Sequence, residues 1–378
     1  MTRGSVLWVD SPHALPWVCA RAGQARAVAV DTEADAFHSY APKVCLVQLS
    51  YDGTHALVDT LRLSATELSP LGELLANPSV IKVLHGADYD VRMLQKDFGF
   101  VVKNLADTQA AAQVLGEPQT SLAALVKKEL GVELDKSQQR ADWALRPLPP
   151  AMVAYAVDDT RFLAELMEKL RARLAAVGRV AWWEEECRAL EQLTYQAPEP
   201  DPWAFLRVKG AKGLTGEALG RLAALWRWRE SVAQALDVPP FRVLASEMLL
   251  RLATEAPADF AALARTPGLS PRVSRRWGRA ILEALANATE PVLPPPPSRP
   301  PYDKERERLV KKLRAVRDRV AQELGLDPGF LAPRAALEAV AERRPQDDAS
   351  WFECLRRHWR VRVLEGPLQH ALLEDESL

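Results

Sequence analysis

Asp31-Thr32-Glu33 near the start of the chain, and Tyr155 with Asp159 further on, are the residues whose types and spacing suggest chemistry. The first two acids stand at i and i+2 after the apolar run 27–30, so a strand there turns both carboxylates to one face. Tyr155 and Asp159 stand at i and i+4, the spacing that shares one face of a helix. Asp90 follows a second apolar run at 80–84. Carboxylates at the ends of different core elements can converge on divalent ions. Hard ions such as Mg²⁺ or Mn²⁺ favour such oxygen ligands. Two of them, about 3.5–4 Å apart, activate a water and relieve charge on the leaving oxygen of a phosphodiester. Each residue also has a plainer reading. Asp-x-Glu is common in a chain with 50 acids. Asp88 and Asp90 both fit first-turn helix acids, Tyr155 fits core packing, and His85 fits a structural hydrogen bonder. Two acids on the flank of a core strand are costly without partners, which favours the ligand reading.

Several elements must position these groups. Strands are expected at residues 27–33, 43–51, 55–59 and 80–85, with Asp52-Gly53 closing an antiparallel hairpin. Helices are expected at 69–75, 88–97, 107–115, 121–129 and 150–177, with Asp107 and Ser121 as N-caps and Gly116 and Gly131 as stops. This is an α/β domain with a mixed sheet over 1–197. The Pro-Glu-Pro-Asp-Pro segment at 198–202 breaks the pattern. Helical spacing then dominates 203–290, in stretches at 218–236, 243–254 and 273–288. A proline-rich linker at 291–301 reads as a stiff spacer, and a third, all-helical unit covers 302–378.

Composition narrows the class. With 48% hydrophobic and 26% charged residues the chain is of ordinary globular type. No apolar stretch is long enough for a membrane span, and the N-terminus lacks a secretory pattern, so no membrane association and a cytoplasmic location are expected. The four cysteines are scattered without a C-x-x-C pair, which argues against a disulfide framework or a cysteine zinc site. Residues 1–201 carry 20 basic against 27 acidic side chains, while 202–290 carry 13 against 8. An acidic first domain suits cations, and a basic second one suits a polyanion or an ordinary solvated surface.

The combination of segments resembles a known family. Asp31-Thr32-Glu33, with Phe37-His38-Ser39-Tyr40 and Leu46-Val47-Gln48-Leu49, resembles the first motif of the DEDD superfamily of exonucleases. His85-Gly86-Ala87-Asp88-Tyr89-Asp90 resembles the second, and Tyr155-Ala156-Val157-Asp158-Asp159 the third in its tyrosine form. Residues 136–143, Lys-Ser-Gln-Gln-Arg-Ala-Asp-Trp, look like the segment preceding that motif in ribonuclease D and its exosome-associated relatives. Trp226-Arg227-Trp228-Arg229 with Pro239-Pro240 and Pro267-Gly268-Leu269 resemble an HRDC domain, and Trp359-Arg360-Val361-Arg362 marks a more diverged copy.

The resemblance implies a ribonuclease H-like exonuclease domain followed by two all-helical HRDC-like domains. It implies a two-metal 3′-to-5′ exoribonuclease that releases 5′-monophosphates and trims the 3′ ends of tRNA precursors and other structured RNAs. Asp31, Glu33 and Asp159 would hold one Mg²⁺ or Mn²⁺, with Asp31 also bridging to a second at Asp90. Asp88 competes for that last assignment. Tyr155 would orient the attacking water. Thr32, Tyr40, Gln48, His85 and Trp143 would contact the RNA end, and Arg276, within the basic stretch 272–279, the upstream phosphates. The partner is RNA with a free single-stranded 3′ end, and no obligate protein partner is implied. A DNA exonuclease uses the same acids and stays open, as does an inactive nuclease fold serving as an RNA-binding scaffold.

Overall fold

The computed structural model describes residues 5–291, 293 and 303–376. Most of the linker expected at 291–301 therefore lies outside the described residues. The strands are β1 (Ser5–Val9), β2 (Ala27–Ala34), β3 (Val44–Tyr51), β4 (Thr54–Val58), β5 (Ile81–Leu84) and β6 (Leu105–Asp107). Around them run α1 (Ala14–Ala22), α2 (Ser69–Ala76), α3 (Asp88–Phe98), α4 (Thr108–Leu115), α5 (Leu122–Leu130), α6 (Pro150–Arg161), α7 (Leu163–Ala176) and α8 (Val180–Glu191). The later helices are α9 (Gly216–Ala235), α10 (Pro240–Val243), α11 (Ser246–Glu255), α12 (Phe260–Ala264) and α13 (Pro271–Ala286), then α14 (Lys304–Leu324), α15 (Pro328–Leu331), α16 (Arg334–Arg343), α17 (Asp348–Leu355) and α18 (His358–Glu376).

The strands form one mixed sheet in the order β1-β4-β3-β2-β5-β6. Asp52 and Gly53, both at positive φ (44° and 73°), close the tight β3–β4 hairpin, whose register pairs Tyr51 with Thr54. β2 pairs antiparallel with β3 and parallel with β5, which makes it a central strand. Val28, Ala29 and Val30 are buried there, and the same strand carries Asp31 and Glu33 onward to its end. Asp31 faces Gln48 across the β2–β3 ladder and Glu33 faces Leu46, with a register shift between Glu33 and Ala34. α6 begins on Pro150, whose fixed φ suits a first helical turn, and lies against β2, β3 and β4.

Sequence periodicity misses β1, β6, α1 and α8. The strands are short and pair with partners distant in the chain. The stretch 150–177 is two helices, because the backbone leaves helical geometry at Phe162 (φ −101°, ψ −9°) while its apolar spacing continues. All four cysteines are buried free thiols. Among the described residues no helix is long and apolar enough to cross a membrane.

The chain divides into two compact units, and the division is not sequential. One comprises Met1–Ala34, Val44–Tyr195 and Pro300–Leu378; the other comprises Asp35–Lys43 and Gln196–Arg299. In the first, α8 joins the sheet domain to the last helical module. Trp182 stacks on Trp359 with ring centroids 4.7 Å apart. The buried Glu186 carboxylate accepts from Trp359 Nε1 (2.9 Å), Arg360 Nη2 (2.9 Å) and Arg357 Nε (3.0 Å). In the second, α9 packs on α11 and α13 around Phe205, Leu222, Leu249 and Ile281.

Candidate metal centre and active-site cleft

The end of β2, the start of α3 and one face of α6 meet in a polar cleft of about 390 Å³. Asp31, Glu33, Asp90, Tyr155 and Asp159 all line it. Single carboxylate oxygens from Asp31, Glu33 and Asp159 lie within 4.8 Å of one another. The i, i+2 spacing on a strand and the i, i+4 spacing on a helix supply this convergence directly. Asp90 stands outside that trio, and its Oδ1 accepts a 2.5 Å hydrogen bond from the Thr32 hydroxyl. Asp88 does not line the cleft; its carboxylate faces Arg92 at 2.9 Å on the surface.

The position of Asp90 is set by Asp107. That buried carboxylate caps α4 through Ala110 N–H (2.7 Å) and also accepts from Ala87 N–H (2.7 Å), fixing the turn that begins α3. The turn needs Gly86, at φ 71°, where an added Cβ would stand 3.0 Å from Gln109 Oε1.

Electrostatics in the cleft follow from burial and crowding. Burial, and then Asp90, Asp159 and Glu33, lift the Asp31 carboxyl well above the usual range. Burial followed by Asp159 and Asp90 pushes Glu33 up to about 9. Burial pushes Asp159 up to about 7, against the opposing hydrogen bond from Tyr155. Asp90 rises to about 6 by burial, with the Thr32 hydroxyl working against it. The Tyr155 phenol also moves up, through burial and then the Asp159 and Glu33 charges. A cation that joins like charges held this close in a desolvated cleft favours their ionised forms. The donor set is carboxylate oxygen throughout, which fits a hard divalent ion.

The other expected contacts separate into two groups. Thr32 and His85 line the cleft. Burial pushes the His85 imidazole down to about 4, and the ring engages the Thr108 hydroxyl (2.9 Å) and the Thr120 backbone. It pins the strand end to the loop before α5. Gln48 and Trp143 do not line the cleft; both are buried, and contact with an RNA end is closed to them here. Trp143 packs on the Tyr155 ring instead, at 5.9 Å between centroids. Gln48 lies under α6, and among the described residues its side-chain amide has no hydrogen-bond partner. Tyr40 and Arg276 belong to the other compact unit. There the Tyr40 hydroxyl reaches Glu230 (3.4 Å), and the Arg276 guanidinium lies 4.7 Å from the Trp277 ring centroid.

Sequence reasoning passed over Tyr89, Gln109, Lys136 and Gln139, all of which line the cleft. Tyr89, nearly half exposed, lies between the two acids of the second motif, and Lys136 and Gln139 fall within the segment before the third. Gln109 had no signal; only the fold brings it over Gly86.

Comparison with known proteins completes this picture. A model of the 3′-5′ exonuclease domain matches residues 6–175, and an HRDC domain model matches 218–285 and 306–354. Ribonuclease D of Acidiphilium cryptum is 33% identical over 361 residues, which cover 94% of this chain and 90% of that protein. The chain belongs to the ribonuclease D family. It is thus a 3′-to-5′ exoribonuclease with an α/β exonuclease domain and helical HRDC domains. Ribonuclease D of Xanthomonas oryzae pv. oryzae is 31% identical over 374 residues, 98% of this chain and 99% of that one. Among solved structures, Escherichia coli RNase D, described as an exoribonuclease involved in structured RNA processing, superposes with a TM-score of 0.70 at 27% identity over 98% of this chain and 99% of that one. The catalytic core of RRP6 from Trypanosoma brucei gives 0.69 at 30% identity, over 76% and 80% of the two chains.

Proposed function

We propose that this ribonuclease D family chain removes nucleotides stepwise from the 3′ end of structured RNAs, tRNA precursors among them, releasing 5′-monophosphates. The observation that carries the reading is the three-carboxylate group of Asp31, Glu33 and Asp159, joined by Asp90 in one cleft. Asp31, Glu33 and Asp159 would hold one Mg²⁺ or Mn²⁺, and Asp31 with Asp90 a second. When bound, such a pair supplies an activated water and charge relief at the leaving oxygen.

The chain's own residues then account for positioning. The Tyr155 phenol stays protonated at neutral pH and hydrogen-bonds Asp159, so it serves as an orienting donor beside the reacting phosphate. Trp143 keeps its ring in place from behind. His85 is neutral and engaged on both sides, so its part is to hold the cleft wall rather than to move a proton. Lys136, on the wall, offers a cation to a phosphate oxygen.

The test is incubation of the purified chain with 3′-tailed RNA and Mn²⁺, with a matched DNA oligomer alongside. A ladder of single-nucleotide steps is expected, lost with a chelator or a blocked 3′ end. Cleavage that ignores the blocked end would refute the reading, and equal trimming of DNA would overturn its RNA preference.

A further inference from the structure

We propose that Gln48 is a positioning residue for the metal centre, its side-chain amide holding the Asp31 carboxylate when a divalent ion binds. This rests on the reading above that Asp31 is a metal ligand, and the test separates the two.

Gln48 stands directly opposite Asp31 on the β2–β3 ladder. Residues so paired point to the same face of a sheet, with Cβ atoms about 4.5–5.5 Å apart. A glutamine side chain is long enough to bring its amide across that gap. The face in question is the one that α6 covers. Leu46, two residues before Gln48, and Leu57, its partner on β4, pack with Tyr155 and Ala156 of that helix. Ser50, two residues after Gln48, meets the Thr160 hydroxyl at 2.6 Å. Gln48 is therefore roofed by the helix that carries Asp159, and its exposure is 0%.

Among the described residues neither Nε2 nor Oε1 of Gln48 has a hydrogen-bond partner. An amide buried in that way costs stability, and leucine or methionine would fill similar space without the cost. Leu46, Leu57 and Ala156 are apolar and ask nothing of it. Asp31 does. Its carboxylate is crowded by Asp90, Asp159 and Glu33 and is helped by one backbone hydrogen bond, at Thr32. An ionised carboxylate offers about four lone-pair positions. A divalent ion uses some of them, and a neutral N–H donor takes another without adding charge to the cluster. Donors of this kind fix the orientation of a ligand carboxylate, and their loss lowers metal affinity or activity by roughly 10- to 100-fold.

The test uses the full chain carrying Gln48→Met or Gln48→Leu, two apolar replacements of similar size and different shape. Mn²⁺ binding is measured by titration calorimetry without RNA, alongside the parent, Asp31→Asn, and Asp31→Asn combined with Gln48→Met. The metal-free Gln48 variants should melt at or above the parent, since they lose an unpaired amide. Their affinity for Mn²⁺ should fall roughly 10- to 100-fold. The double variant should bind Mn²⁺ no more weakly than Asp31→Asn alone, because the two residues act through one contact. On 3′-tailed RNA, kcat at limiting Mn²⁺ falls and recovers as Mn²⁺ is raised, while KM for the RNA holds. Parental Mn²⁺ affinity in either folded Gln48 variant overturns the proposal, as does a further loss in the double variant. Lower melting or failure to fold in both metal-free variants overturns it too, because the amide would then have a structural duty. Equal Mn²⁺ affinity in the parent and Asp31→Asn would sink the metal reading itself. Loss in Asp31→Asn with retention in the Gln48 variants sinks only the role given to Gln48.

Discussion

At the scale of single residues, Asp31 is tightly constrained. It is enclosed, faces three other carboxyls, and takes relief from one backbone hydrogen bond at Thr32. Asp31→Asn is expected to lower RNA trimming on the order of 10²–10³-fold or more, since it removes charge where charge relief is the chemistry. The same change removes like-charge repulsion, so the metal-free variant should melt higher than the parent. A variant with parental turnover would take Asp31 out of the site. Titration gives a second expectation. Folding raises the carboxyls of Glu33 to about 9, Asp159 to about 7 and Asp90 to about 6, so the folded chain binds more protons than the unfolded chain between their ordinary values and these. Their contribution to stability is therefore full below about pH 4 and is lost as pH rises toward 9. Mg²⁺ reverses that loss, because it binds the ionised form. Melting curves from pH 6 to 9 should separate with and without Mg²⁺, the gap widening with pH; a gap that stays constant would contradict the assignment.

The acids were legible in the sequence because a strand and a helix convert fixed spacing into shared faces without reference to anything else. Tyr40, Gln48 and Trp143 were harder to place, since apolar and amide side chains suit both a cleft and a core, and only packing decides between them.

At the scale of elements, the loop before α6 shows what holds the tyrosine. Arg146 reaches both oxygens of the buried Asp59 (2.6 and 2.8 Å) and donates to the carbonyls of Cys45 and Trp143 (both 2.8 Å). Trp143 in turn packs on Tyr155. Arg146→Met leaves the buried Asp59 carboxylate without its cation, held only by the Leu61 N–H (3.1 Å), a loss of the kind that costs about 3–5 kcal/mol where a buried ion pair is broken. It also frees the loop, so turnover should fall while affinity for RNA holds, the pattern also expected of Tyr155→Phe. Loss of affinity with turnover intact would contradict this. The four strands with apolar runs and the Asp52-Gly53 turn were readable from local pattern. β1 and β6 were not, because five- and three-residue strands take their stability from parallel partners far along the chain.

At the scale of the whole molecule, the sequence suggests three successive bodies, whereas the structure groups the first with the last. Nothing local signals this: the contacts that create it, such as Trp359 Nε1 to Glu186, span 173 residues. A chain ending near residue 291 should therefore melt lower than the full chain and self-associate, rather than behave as an intact nuclease lacking one RNA-binding module. Calorimetry and size-exclusion chromatography would show it, and unchanged melting in a monomeric truncation would contradict it.

The stacking of Trp182 on Trp359 also sets a timetable for biosynthesis. At roughly 5–20 residues per second, a nascent chain waits on the order of 10–35 s between making the first indole and making the second. Throughout that interval the emerging nuclease presents one face of the Trp182 ring without its stacking partner and the Glu186 carboxylate without its donors, so α8 is finished only when the last module is made.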